Sequence, residues 1–104
     1  MSTPLAANPR PQTFADRRAS VRHDCNYLGF VKIQGAPLTP CRVVNVSAGG
    51  ALLELQEPIG LPASFRISIP MELFEADCET RHQTGKHVGV MFTSNLREAL
   101  ARFG

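Results

Sequence analysis

Tryptophan is absent from this chain, tyrosine occurs once, and no apolar run reaches the roughly 18 residues of a membrane-spanning helix. No membrane insertion is therefore expected. The first 16 residues also lack the apolar stretch of a secretory signal. Cysteine is sparse. Cys25, Cys41 and Cys78 match neither a zinc spacing nor a CxxC redox pair, and an odd number argues against a disulfide scaffold. They read as buried or half-buried thiols of a reducing cytoplasm.

Catalytic signatures are missing as well. The three histidines, His23, His82 and His87, are scattered, and no GxSxG, HExxH or Walker pattern occurs. An enzyme needs a nucleophile or an acid–base pair in a pocket. Asp77 and Glu79 alternate on one predicted strand and read as protective charges on a solvated edge. Neither catalysis nor a cofactor is expected. Exposed aromatics interleaved with basic residues are also lacking, which argues against a general RNA-binding barrel. Too few basic residues are present for a long nucleic acid, so neither DNA nor RNA is an expected partner.

What is present points to one small domain. At 104 residues there is no room for a second core, and an apolar fraction of 43% suffices for one. Eight prolines and eight glycines favour many turns and short elements. Residues 1–16 hold three prolines among small polar residues and read as a loose tail, with the domain proper over 17–104. Strands are predicted over 27–34, 42–46, 51–55, 65–69, 74–82 and 88–92. The clearest alternation is Phe65, Ile67, Ile69 against Arg66 and Ser68. Thr84-Gly85-Lys86 is expected to form a hairpin turn.

After Phe92 the period becomes helical, with Leu96, Leu100 and Phe103 in step. Asn95 is placed as N-cap and Glu98 as the partner of a capping box. Six short strands and one terminal helix favour a mainly-β fold, a six-stranded antiparallel barrel over about 24–93 with a short α-helix over about 95–103. The helix is expected to cover a mouth or a side of it.

Charge is unevenly spread. Arg10, Arg17, Arg18 and Arg22 face only Asp16, so residues 1–22 carry +3 and the remainder −1. Arg18 and Arg22 lie four apart, about 13 Å if extended. Guanidinium groups suit phosphates, the O6/N7 edge of guanine, and purine faces. A second motif, Asn45-Val46-Ser47-Ala48-Gly49-Gly50, falls between two strands. Asn45 and Ser47 are expected on one side, offering hydrogen bonds, while the glycines admit close backbone approach.

Arg18-Ala19-Ser20-Val21-Arg22 followed by Asn45-Val46-Ser47-Ala48-Gly49-Gly50 resembles the RxxxR and (D/N)xSxxG pattern of the PilZ domain family. The likeness continues through Gly50–Leu55 and the Val88–Phe92 strand, covering about 16–94. It implies a bacterial, cytoplasmic receptor domain for cyclic di-GMP on a six-stranded barrel. By the same resemblance Arg18 and Arg22 clamp phosphates and guanines. Asn45, Ser47 and Gly50 receive a guanine, and Arg17 is the basic residue often found before the first motif. Some members place an aromatic ring near the positions of Thr80–His82. Here Arg81 or His82 stands in its place. The expected output is an ordering of the N-terminal arginine arm that a separate, unidentified partner protein reads, with a ligand-dependent change of oligomeric state left open. The alternative is a PilZ-like interaction barrel that binds no nucleotide. Retention of both motifs argues against it.

Overall fold

In a computed structural model, residues 22–104 are described. The expected tail over 1–16, and Arg17 and Arg18, lie outside the described residues. Six strands form: β1 (His23–Lys32), β2 (Thr39–Val46), β3 (Gly50–Leu55), β4 (Ser64–Ile69), β5 (Phe74–Thr84) and β6 (His87–Phe92). A single 3-10 turn, Pro70–Glu72, joins β4 to β5, and helix α1 (Leu96–Phe103) follows β6. All neighbouring strands are antiparallel, and they close into a barrel in the order β1-β2-β3-β6-β5-β4.

Alternation explains the core. Ala51, Leu53 and Leu55 turn inward, as do Phe65, Ile67 and Ile69, and Val88, Val90 and Phe92. Val31 and Val43 complete the filling from β1 and β2, and both are fully buried. Each such Val, Leu, Ile or Phe side chain contributes about 1.5–3 kcal/mol on leaving water. Gly85, with φ of 59°, supplies the left-handed residue that the tight β5–β6 turn requires. Cys41 and Cys78 sit in this core, where burial pushes both thiols up to about 12, and Cys25 is half-buried.

Closure corrects one expectation. Asp77 and Glu79 are not on an edge strand, because β5 is paired with both β4 and β6. Their charges simply face water on the outer surface. There Arg66 donates to Glu75 (2.8 Å) and to Asp77 (2.9 Å), and Lys32 donates to Glu75 from β1. These bonds stitch β1, β4 and β5 across the closing seam. Hydrogen bonds from Lys32 first, then Arg66, hold the Glu75 carboxyl well down, from 4.5 to about 2. A carboxylate lowered on folding stabilises fully above its unfolded value and loses that contribution as pH falls through the folded one. Wild type should therefore melt above Glu75→Gln at neutral pH. The gap should close between about pH 4.5 and 2, and shrink in high salt because the pairs are exposed. Parallel melting curves with a gap unchanged down to pH 2 would contradict this.

Strand limits also differ from expectation. β1 starts at His23 rather than Tyr27, since His23 and Asp24 extend the ladder against Val46 and Asn45 with solvent-facing side chains. β2 starts at Thr39 and includes Pro40, which the sequence places in a turn. Proline fits near a strand's first residue, where a missing N–H costs least.

The helix departs furthest. Only Ala99 and Phe103 of α1 are buried, whereas Leu96 and Leu100 remain 53% and 63% exposed. Phe103 sits edge-on against Phe74 (centroids 5.2 Å, 82°), and Phe74 packs in turn on Phe92 (5.2 Å). The expected capping box does not form. Asn95 is left-handed, with φ of 55°, and a side-chain N-cap needs an extended residue there. Its amide instead donates to the Glu75 carbonyl (2.9 Å), while Glu98 pairs with Arg102 (2.7 Å). Among the described residues no helix is long and apolar enough to cross a membrane.

Candidate functional site

The second motif builds a tight turn between β2 and β3. The Ser47 backbone N–H donates to the Gly50 carbonyl (2.8 Å). The Ser47 hydroxyl accepts from the Gly49 N–H (3.3 Å) and lies 3.4 Å from the Gly50 carbonyl, to which it donates. Ser47 is consequently buried, at 6% exposure, with its hydroxyl satisfied within the turn. The Phe92 N–H donates to the Gly49 carbonyl (2.9 Å), which fastens the turn to the end of β6.

Gly50 sits where β6 passes close. A Cβ built there would stand 2.1 Å from the Val90 carbonyl oxygen. Its φ is not left-handed, so close approach, not backbone freedom, demands glycine.

Arg22 brings the first motif to the second. Its Nη1 donates to Asn45 Oδ1 (2.8 Å) across 23 positions of sequence. Beside this contact lies a shallow depression of about 280 Å³, lined by Arg22, Ser47, Gly49, Gly50, Arg81, Val90 and Met91. Two guanidinium groups and no carboxylate line it, so the surface favours an anion. Strand register is irregular at three places in the barrel, one of which holds Arg81. One falls between Asp24 and Tyr27 in β1, one between Val43 and Asn45 in β2, and one between Thr80 and His82 in β5. Bulges re-aim side chains and bend strands at such places.

Arg22, Ser47 and Gly50 thus converge as expected from sequence. Asn45 is reached through Arg22 and does not line the depression itself. Ser47 turns into the loop instead of sharing Asn45's side, because strand alternation ends at Val46. Arg17 and Arg18 lie outside the described residues. Arg81 and Met91 join the lining without being part of either motif. His82 does not, because its ring lies over Gly89, where a Cβ would fall 2.2 Å from the imidazole.

Larger depressions lie elsewhere on the barrel, of about 430 and 510 Å³. In the first Arg42 faces Glu54 (3.9 Å), and in the second Arg66 is held by Asp77. Arg42, Lys32 and Arg66 there each have a carboxylate partner, and both depressions carry a lining carboxylate, Glu54 or Asp77, so they draw an added anion less strongly. No group of three metal-ligating side chains occurs among the described residues.

The sequence profile of the PilZ domain matches residues 16–103. The chain belongs to the PilZ domain family, which consists in general of cyclic di-GMP receptors, binding domains and not enzymes. A search of curated proteins found no match. Among solved structures, the chain is similar to that of an uncharacterized Legionella protein, with 14% identity and a TM-score of 0.55, over 78% of this chain and 87% of that one. That likeness concerns the fold alone.

Proposed function

We propose that this protein is a cyclic di-GMP receptor of the bacterial cytoplasm. In this reading the ligand lies on the outer surface of the barrel over the Ser47–Gly50 turn. The observation that carries it is the Arg22–Asn45 hydrogen bond, which joins the two motifs into one surface. Family membership supports the same ligand. Arg18 and Arg22, with Arg17 beside them, clamp phosphates and guanines from the arm. Asn45 orients Arg22, and Gly50 lets β6 close tightly against the turn that carries the base.

The domain performs no chemistry of its own. Binding fixes the arginine arm on the barrel, and a separate partner protein reads the result. Such ordering draws on the binding free energy, as coupled transitions do. A physical link to the helix supports this route. His23, the residue after Arg22, shares a 3.0 Å hydrogen bond between its Nε2 and the Phe103 carbonyl at the end of α1. A shift of Arg22 is thereby passed to a helix whose Leu96 and Leu100 face solvent.

NMR tests this directly. Adding cyclic di-GMP should shift the amides of Arg22, Ser47–Ala51 and Met91, and should rigidify the arm over residues 10–21. Shifts confined to the neighbourhood of Arg42 or Arg66, or an arm whose relaxation is unaltered, would refute the reading.

A further inference from the structure

Large apolar side chains are left in water around the start of β5. The Pro70–Glu72 turn and the residue after it expose Met71 (78%) and Leu73 (84%), and α1 exposes Leu96 and Leu100. Leu73 precedes Phe74, whose ring meets Phe103 of α1, and Asn95 ahead of α1 donates to the Glu75 carbonyl. Leu73 is also held at φ of 52°, a backbone that glycine adopts freely and leucine seldom. Beside it opens a depression of about 360 Å³, lined by Ser68, Pro70, Leu73, Phe74 and Glu75. The two apolar groups carry opposite charges. Glu72 stands between Met71 and Leu73, and Arg97 follows Leu96. Neither forms an ion pair among the described residues, whereas Glu98 and Arg102 pair with each other. Each half is therefore the complement of the other, in shape, polarity and charge, and the two do not pair within one chain.

We propose that this face joins two copies of the chain, with α1 of each copy seated on the Pro70–Leu73 turn of the other. Leu96 and Leu100 enter the depression beside Leu73 of the second copy, and Arg97 meets its Glu72. A two-fold axis uses both halves of both copies at once, which is what a self-complementary surface requires. Exposed apolar side chains rimmed by charge mark such contacts. Four side chains per copy cover less than the about 800 Å² per partner of a standard interface, so the dimer is weak and depends on concentration. The contact requires no nucleotide.

Sedimentation velocity on the full chain without nucleotide, from micromolar to millimolar concentration, tests the proposal. Wild type should pass from monomer to dimer as concentration rises. Leu96→Glu should weaken the dimer about tenfold or more, because it puts a charge into an apolar contact. Leu73→Gly should weaken it too, while the dilute protein melts no lower than wild type, since glycine suits the left-handed backbone. Glu72→Arg and Arg97→Glu should each weaken it about twofold to fivefold, the range of exposed pairs. Combining Glu72→Arg with Arg97→Glu should restore most of that loss. A wild type that stays monomeric throughout would overturn the proposal and leave the face to another protein or to the chain's own N-terminal segment. A dimer unchanged by Leu96→Glu and Leu73→Gly would place the contact elsewhere and overturn it as well. No recovery in the combined variant would overturn the crossed charge pairing.

Discussion

Gly50→Ala is expected to destabilise the barrel more than any other change in the two motifs, by about 3 kcal/mol or more. The methyl would meet the Val90 carbonyl at 2.1 Å, and that atom belongs to backbone, so no side-chain rotation relieves the clash. β3 and β6 must separate, because Gly50 pairs with Met91 and Ala51 with Val90. Separation strains the Phe92–Gly49 and Ser47–Gly50 hydrogen bonds, each worth about 1 kcal/mol. A small domain has only about 5–15 kcal/mol in total, and each kcal/mol lowers Tm by about 4–8 °C. A fall in Tm of more than about 10 °C should be seen by thermal denaturation. Ser47→Ala should rank second, since it removes the hydroxyl that braces the turn. Asn45→Ala should rank last, because its partner Arg22 is exposed. A Gly50→Ala protein as stable as wild type would mean that β6 yields at no cost.

The double replacement Arg18→Ala with Arg22→Ala should weaken cyclic di-GMP binding by about a hundredfold or more. Each guanidinium is expected to make charge-assisted contacts of about 1.5–3 kcal/mol, and phosphate is the stronger partner. Either single change should cost about tenfold to a hundredfold. The melting temperature should barely move, since exposed substitutions usually fall within about 0.5 kcal/mol. Part of the loss should vanish at high salt, where screening weakens the parent's contacts. Equal affinity in the double variant and the parent would dismiss the clamp. Gly50→Ala and this double variant thus separate the scaffold from the grip. One should lose the fold, the other only the ligand.

Much of the barrel was legible because large apolar residues recur at every second position of the strands. Phe65, Ile67 and Ile69, and Val88, Val90 and Phe92, are buried in the order that their spacing implies. Closure was expected and is found, but the seam that makes it was not legible. It rests on β1 meeting β4 through pairs such as Val31–Ile67, which are distant in sequence and leave no local mark. For that reason Asp77 and Glu79 resembled edge charges. In α1 the stripe of Leu96, Leu100 and Phe103 was read correctly as helical. Its burial was not, because the Phe74 ring meets only the Ala99–Phe103 side of the turn. Asn95 fitted a capping pattern by type, but its left-handed backbone makes it the pivot between β6 and α1.

The site followed the same division. Arg22 and Asn45 were assigned to one site by the two motifs, but the hydrogen bond between them was not foreseen. Ser47 was expected to point outward with Asn45. Alternation holds only while the chain is a strand, and the turn begins one residue earlier than that argument allowed. Arg81 stood out only as an occupant of a position where relatives carry a ring. Its place in the depression depends on a one-residue slip in β5, and no periodicity in Thr80-Arg81-His82 signals such a slip.

The most direct measurement is a calorimetric titration of the unaltered chain with cyclic di-GMP, run beside GMP and cyclic di-AMP. Saturable heat with cyclic di-GMP, much weaker heat with the other two, and a wild-type signal abolished by Arg18→Ala with Arg22→Ala is the predicted result. No saturable heat with cyclic di-GMP, or equal affinity for all three nucleotides, would contradict the account.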